Sequence, residues 1–218
     1  MNTLRILVAD DHDLLRRGVK TLLESHAGWE ICGEAKTGRE AVEKAQQLRP
    51  DIAILDIGMP DLNGVEAARR IRKASTGTEI LILSLHYSDQ LIREIVDAGV
   101  RGYIVKSDSD RDLIIAVETL AKHKPFFTPH ATEVILGGFQ ASGPAKKMPE
   151  SVGERLTSRE REIVQLLAEG KSSKEVASSL GISVKTAETH RANVMRKLEL
   201  HSVSDLVRYA VRNQIIEA

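Results

Sequence analysis

The chain has 218 residues, and its 31 basic and 31 acidic side chains give a net charge of zero. Balanced charge excludes a polybasic or polyacidic binding surface along the whole chain, and a hydrophobic content of 42% excludes global disorder. The longest apolar run has five residues and Cys32 is the single cysteine, which excludes a membrane span and an internal disulfide. We expect a cytoplasmic protein with no membrane partner and no secretory signal.

Short apolar segments alternate with helical patterns over residues 1–125. The predicted strands are residues 6–9, 30–35, 52–55, 80–83 and 102–105, and the predicted helices are residues 14–24, 39–48, 65–73, 89–98 and 110–121. Three of the strands are rich in β-branched residues and lack polar alternation, as strands buried on both faces do. Five β-α units in succession predict an α/β fold with a doubly wound, five-stranded parallel sheet.

Polar side chains follow four of these strands, at the point where each strand ends. Asp10 and Asp11 follow the first strand, Asp56 the third, Ser84 the fourth and Lys106 the fifth. The carboxyl ends of parallel strands form the ligand-binding edge of such a sheet, so these side chains should converge. Crowded carboxylates repel one another, and Mg²⁺ relieves that repulsion. A carboxylate beside Mg²⁺ and a lysine can accept a phosphoryl group.

A glycine- and proline-rich segment divides the chain. Residues 137–153, GGFQASGPAKKMPESVG, contain four glycines and two prolines, which favours a linker over a long loop inside one domain. The predicted domains are residues 1–125 and 154–218, with a linker over residues 126–153. The first domain has 18 basic and 20 acidic residues and the second has 11 and 9, as expected if the second domain meets nucleic acid.

Short helices are predicted after the linker. Thr157 and Glu160 have the spacing of a capping box, and Ser172 and Glu175 repeat it. The first two helices end at glycines, and Ser183 can cap a third, longer helix. A fourth helix is predicted over residues 204–215. The tight turn before the third helix is typical of a helix-turn-helix, so we expect a small all-α domain.

The third helix of this domain separates into two faces. The face expected to pack inward carries Ala187, Arg191, Val194 and Leu198. The other face is polar and small, and it carries Lys185, Glu188, Thr189, Ala192 and Arg196. This second face suits the major groove of double-stranded DNA, where Glu188 can accept from a cytosine amino group and Thr189 can touch a thymine methyl. Phosphate contacts are expected from Lys185, Arg191, Arg196 and Lys197. A solvated helix face is the alternative.

Residues 4–122 resemble the receiver domain of two-component systems. The resemblance lies in the motifs VADDHDLLRRG, LDIGMPDLNG, SLHYSD and AGVRGYIVKS. It implies a flavodoxin-like fold in which Asp56 is the phosphoacceptor for a sensor histidine kinase. It further implies Mg²⁺ held by the side chains of Asp11 and Asp56 and the carbonyl of Gly58, with Asp10 acting through a water.

The same resemblance assigns a switch to the ends of the fourth and fifth strands, at the same edge of the sheet. It implies that Ser84 and Lys106 contact the phosphoryl group. Tyr103 stands where the family keeps its switch aromatic, three residues before Lys106. The implied change draws Ser84 toward the phosphate and lets Tyr103 turn inward, which alters the surface of the fourth and fifth α/β units.

The second domain resembles the LuxR-type DNA-binding domain. The segment LTSREREIVQLLAEGKSSKEVASSLGISVKTAETHRANVMRKLEL carries the resemblance, and the order of the two domains is similar to the NarL/FixJ group of response regulators. The resemblance implies Lys185, Glu188 and Thr189 at base edges. It implies phosphate contacts from Thr157, Ser173 and Lys174. Many relatives have a basic residue in place of Glu188, so the base preference of this chain departs from theirs.

The fourth helix has more apolar surface than a three-helix core obviously needs. In the LuxR family this helix pairs two DNA-binding domains, which implies a homodimer seam at Leu206, Tyr209 and Ala210. A two-fold dimer would bind paired half-sites about 10 base pairs apart. The alternative is that these residues belong to the local core of the domain.

We therefore interpret the chain as a phosphorylation-switched transcription factor, not an enzyme. Phosphorylation of Asp56 would either promote dimerisation or release the DNA-binding domain from the receiver. A Mg²⁺-dependent phosphatase is disfavoured because the adjacent pair Asp10-Asp11 is not the usual Asp-x-Asp pair after a first strand. A dinucleotide enzyme is disfavoured because no Gly-x-Gly-x-x-Gly follows the first strand. A receiver that has lost its switch would give a constitutive DNA binder.

Overall fold

The structure is a computed structural model that describes residues 3–85, 88–107, 110–141 and 156–216. Its first part alternates strands and helices, as predicted. The strands are Leu4–Ala9 (β1), Trp29–Ala35 (β2), Ile52–Asp56 (β3), Glu79–Ser84 (β4) and Gly102–Val105 (β5). The helices are Asp13–Glu24 (α1), Gly38–Leu48 (α2), Gly64–Ala74 (α3), Asp89–Asp97 (α4) and Asp110–Ala121 (α5). These predictions are confirmed, with ends that differ by at most two residues.

The strands form one parallel sheet in the order β2-β1-β3-β4-β5, and the sheet continues into a short sixth strand, Phe126–Phe127 (β6). The predicted doubly wound parallel sheet is confirmed, and β6 extends it beyond the five strands expected. A strand of two residues is too short to show a periodic pattern, so β6 was not predicted. Each face of the sheet buries its own apolar cluster under helices.

Part of the predicted linker is folded against the sheet domain. Residues Pro129–Ala141 form a helix (α6) that packs on α4. Ala131 is buried, and Val134 and Ile135 pack against the core. This corrects the prediction that all of residues 126–153 are linker, because tertiary burial of an apolar stripe outweighs the low helix propensity of glycine. The rest of the predicted linker, residues 142–155, lies outside the described residues.

The C-terminal part is an all-α domain with its own apolar core. Its helices are Ser158–Ala168 (α7), Ser173–Leu180 (α8), Val184–Lys197 (α9) and Val203–Arg212 (α10). Both predicted capping boxes form, at Thr157 with Glu160 and at Ser172 with Glu175. Gly181 ends α8 in the left-handed region at φ 63°, and Ser183 caps α9. The helix-turn-helix prediction is confirmed.

The two domains contact each other mainly through α7, which meets α2, α3, α4 and the loop between β3 and α3. Within the described residues, no helix combines the length and the apolar character that a transmembrane helix requires.

Candidate functional site

Three predicted site residues meet at the carboxyl edge of the sheet. The register places the end of β1 beside β3, and the end of β5 beside β4, so Asp10, Asp56 and Lys106 project from neighbouring strand ends. Lys106 Nζ lies 2.8 Å from Asp56 Oδ1 and 3.0 Å from Asp10 Oδ2. All three side chains are buried, at 3% exposure or less. The predicted convergence is therefore present in the structure.

The two neighbouring carboxylates stabilise the charged form of Lys106. Burial disfavours the ammonium form, but the charges of Asp56 and Asp10 outweigh that effect and raise the pKa of Lys106. Lys106 consequently stays protonated at neutral pH. Its position is also fixed by the backbone, because Lys106 N donates to Ser84 O at 2.7 Å.

The acidic side of the pocket has the donor set of a divalent-cation site. Asp10, Asp11, His12 and Asp56 each offer a ligand atom, and these atoms lie within 4.8 Å of one another. Asp10 Oδ2 and Asp11 Oδ1 are buried, and their neighbours among the described residues are Lys106 Nζ and His12 Nδ1, each 3.0 Å away. Three carboxylates facing one ammonium leave negative charge uncompensated. The oxygen donors fit Mg²⁺.

His12 joins this cluster although the sequence reasoning did not single it out. Its Nδ1 lies 3.0 Å from Asp11 Oδ1 and 3.4 Å from Asp10 Oδ1. The ring is half exposed, and Mg²⁺ prefers oxygen to imidazole ligands. The only signal in the sequence was its place directly after two aspartates.

The remaining predicted pocket residues lie around this centre. Gly58 is in the loop after Asp56, and Ser84 is the last, buried residue of β4. Ile57 N donates to Asp56 Oδ1 at 2.8 Å, which orients the carboxylate. Tyr103 on β5 is completely buried.

The two faces of α9 separate as predicted. Ala187 and Val194 are buried, and Arg191 is half-buried. The outward residues Lys185, Glu188, Thr189, Ala192 and Arg196 are all exposed. Elsewhere in the domain Thr157 and Lys174 are exposed and Ser173 is half-buried, near the starts of α7 and α8. The exposed face of α9 is thus mainly polar, and Val184 at the start of the helix is the exposed large apolar side chain found on it among the described residues.

The predicted dimer residues on α10 have different environments. Leu206 and Ala210 are buried in the core of the C-terminal domain, where α10 packs on α7. Tyr209 is half-buried, and burial raises its pKa. The local-core interpretation therefore describes Leu206 and Ala210, and Tyr209 is the one of the three with exposed surface.

The interface between the domains was not foreseen from the sequence. Glu162 of α7 is 1% exposed and binds Arg39 of α2 and Arg70 of α3. Arg161 binds both carboxylate oxygens of Glu94 in α4, at 2.9 and 3.0 Å. These partners are more than 60 residues apart in sequence, so no local pattern could have paired them. The contacts involve α7 and leave the outward face of α9 exposed.

Each half of the chain matches a known protein family. A model for the response regulator receiver domain matches residues 6–118, and a model for bacterial regulatory proteins of the luxR family matches residues 154–210. The response regulator protein VraR of Staphylococcus aureus is 35% identical over 215 residues, which cover 99% of this chain and 100% of VraR.

Solved structures show the same architecture. A LuxR-family two-component response regulator from Aurantimonas sp. SI85-9A1 has a TM-score of 0.60 at 29% identity, covering 64% of this chain and 99% of that chain. RcsB of Salmonella typhimurium has a TM-score of 0.66 at 24% identity, covering 98% of this chain and 99% of that chain. RcsB in complex with DNA has a TM-score of 0.58 at 23% identity, covering 95% and 98%. At this identity RcsB shows the fold alone.

Proposed function

The chain belongs to the LuxR-family response regulators, with a receiver domain followed by a LuxR-type DNA-binding domain, and from this we propose that phosphorylation of Asp56 controls its binding to DNA. A sensor histidine kinase is the proposed phosphoryl donor, and the cytoplasm is the proposed location. The observation that carries the proposal is the buried convergence of Asp10, Asp56 and Lys106 at one edge of the sheet.

The pocket has the groups that phosphoryl transfer to a carboxylate needs. An oxygen of Asp56 forms the new bond to phosphorus while the bond from phosphorus to the kinase's histidine nitrogen breaks. Lys106 Nζ, 2.8 Å from Asp56 Oδ1, places positive charge where phosphoryl oxygens arrive. Ser84 ends the adjacent strand and can donate its hydroxyl hydrogen to a further oxygen.

A divalent cation completes the charge balance of this pocket. In the proposal Asp11, Asp56 and the carbonyl of Gly58 hold Mg²⁺, and Asp10 acts through a water. The ion supplies positive charge that neutralises the phosphoryl oxygens. The gathering of three carboxylates around one buried ammonium supports this part of the proposal.

The outward face of α9 is the proposed reader of DNA. Lys185, Glu188 and Thr189 would meet base edges, while Arg191, Arg196, Thr157, Ser173 and Lys174 would meet phosphates. The polar, exposed character of α9 supports this assignment, as does the match of residues 154–210 to the luxR family of bacterial regulatory proteins. A homodimer formed on phosphorylation would place two such helices on half-sites about 10 base pairs apart.

Of the two routes to control, the interface favours dimerisation. The receiver contacts α7 and the end of α10, where Gln90 meets Asn213, and it leaves the outward face of α9 exposed. Because the receiver does not cover the outward face of α9, the two domains do not have to separate before α9 can bind DNA. Phosphorylation would then act by bringing two copies together on one site.

Selection from a random-sequence DNA pool tests this function. The full chain is incubated with and without Mg²⁺ plus beryllofluoride, which stands in for the phosphoryl group on Asp56, at two salt concentrations. We expect loading to enrich a two-fold-related motif, and Asp56→Asn to abolish the enrichment. Equal enrichment without loading would instead indicate a constitutive DNA binder. Turnover of a generic phosphoester would indicate an enzyme.

A further inference from the structure

The loop between β3 and α3, residues 57–63, is bound by the DNA-binding domain. The loop starts directly after Asp56, contains Gly58 and ends at Asn63, which caps α3. It is folded tightly, because a Cβ at Gly64 would collide with the carbonyl oxygen of Asp56. A movement of this loop therefore moves the backbone beside the phosphoacceptor.

Gln165 of α7 holds the loop with both ends of its amide. Gln165 Nε2 donates to Met59 O at 2.9 Å, and Gln165 Oε1 accepts from Asn63 N at 2.8 Å. Gln165 is 1% exposed, so water does not readily replace these bonds when they break. Met59 adjoins Gly58, and the carbonyl proposed as a metal ligand is thus one residue from a bond made by the other domain.

A second set of contacts binds the middle of the loop. Asp61 N donates to Glu169 Oε1 at 3.1 Å, and the carboxylate of Asp61 pairs with Lys171. Glu169 in turn accepts from Gln165 Nε2 at 2.8 Å. Residues 59, 61 and 63 are thus bound in succession by α7 and the turn after it.

The other contacts between the domains are of a different kind. Arg161 with Glu94, and Glu162 with its arginines, join side chains on helices and do not touch the loop backbone. Such ion pairs join the domains through α2, α3 and α4, beside the loop. Among the described residues, Gln165 is the buried α7 side chain that bonds the loop backbone directly at two positions.

We infer that Gln165 is a positioning residue for the phosphorylation pocket, supplied by the DNA-binding domain. The inference rests on the proposed function only for the place of the metal. By holding the loop beside the gathered carboxylates of Asp10, Asp11 and Asp56, Gln165 strengthens Mg²⁺ binding. Coupling between two sites is reciprocal, so Mg²⁺ in the pocket must strengthen the contact between the loop and α7 to the same degree.

The test measures Mg²⁺ binding to the full chain in the wild type and in Gln165→Met, which keeps side-chain length and loses both bonds. NMR titration follows the backbone amides of Asp11 and Ile57. We expect the dissociation constant for Mg²⁺ to rise by about fivefold or more. The matched control is Arg70→Met, which removes the interdomain ion pair with Glu162 at a position on α3 beyond the loop, and it should leave the constant unchanged.

A second measurement uses the wild type and so does not depend on the folding of a variant. Mg²⁺ should slow backbone hydrogen exchange in α7 of the wild type and have no such effect in Gln165→Met. The inference is overturned if wild type and Gln165→Met have equal dissociation constants for Mg²⁺. It is also overturned if Mg²⁺ does not change the rate of hydrogen exchange in α7 of the wild type. Failure of Asp56 to take up phosphoryl while these couplings hold would overturn the proposed function alone.

Discussion

The proposed phosphorylation pocket, formed by Asp10, Asp56 and Lys106, and the outward face of α9 present their charges in opposite ways. In the pocket, Asp10 and Asp56 are 1% exposed or less, and Lys106 is held between them. On α9, Lys185 and Glu188 are exposed to solvent. Burying a charge costs free energy unless a partner compensates, whereas a charge on a helix surface costs little. The chemistry of the pocket can therefore be inferred from one chain alone. The role of the α9 face depends on the molecule that binds to it.

The largest expected effect is on the pocket. Asp56→Asn removes the oxygen nucleophile, so we expect phosphorylation by a small phosphoryl donor to fall below detection, at least ~100-fold. Intact-mass measurement of the added phosphoryl group checks this. Asp51→Asn is the matched control, because Asp51 lies just before the same strand and binds Arg5 N at 2.8 Å, outside the pocket. Phosphorylation of Asp56→Asn at the wild-type level would transfer the acceptor role to another residue.

The next effect separates the two interpretations of α10. Leu206 is 1% exposed, and Leu206→Ala should lower the free energy of unfolding by about 2–5 kcal/mol because it leaves a cavity in the core. Urea unfolding of the full chain at two protein concentrations measures this. Val203→Ala, on the same helix but at a position 49% exposed, should change stability by less than ~0.5 kcal/mol.

A destabilisation by Leu206→Ala that disappears at high protein concentration would contradict the core interpretation. It would show instead that Leu206 lies in a seam between two copies. The comparison with Val203→Ala removes any general effect of shortening a side chain on this helix.

On the α9 face, Glu188→Ala should change which sequence is preferred. A carboxylate that accepts from a cytosine amino group contributes about 1–3 kcal/mol of discrimination, so its loss should relax the choice at one base pair. Competition between single-base variants of the selected site measures the change. His201→Ala, exposed and beyond the end of α9, should leave the preference intact. Unchanged discrimination in Glu188→Ala would remove Glu188 from the base contacts.

The smallest effect should come from a phosphate contact. Lys174→Ala should weaken binding to all sequences alike and reduce the slope of log affinity against log salt by about 1. Lys122→Ala, an exposed lysine on the receiver, is the matched control and should not change the slope. A change in sequence preference in Lys174→Ala would instead assign this lysine to a base edge.

Much of the fold was predictable because local signals and the final structure agree. The apolar runs before Asp10, Asp56 and Ser84 became buried strands, and the parallel topology then placed their carboxyl ends together. The caps at Thr157 and Ser172 formed as expected, because an N-cap side chain and the backbone groups it satisfies lie within one turn.

The parts that sequence reasoning missed depend on contacts between distant segments. The side chain of Gln165 bonds to residues 102 and 106 positions earlier in the chain, and only the packing of two domains brings them together. The helix α6 was missed for a related reason, since its apolar residues gain their stabilisation from α4 and its glycines suggested a linker.

The docking of α6 on the receiver has a consequence for the range over which the DNA-binding domain can travel. Ala141 ends α6 and Leu156 begins the described part of the second domain, so 14 residues separate two placed ends. At ~3.5 Å per residue their greatest reach is about 50 Å. A domain confined to that radius keeps an effective local concentration on the order of millimolar at its own receiver. Any DNA site or second copy that binds the DNA-binding domain must therefore compete with the receiver, which is covalently attached to it.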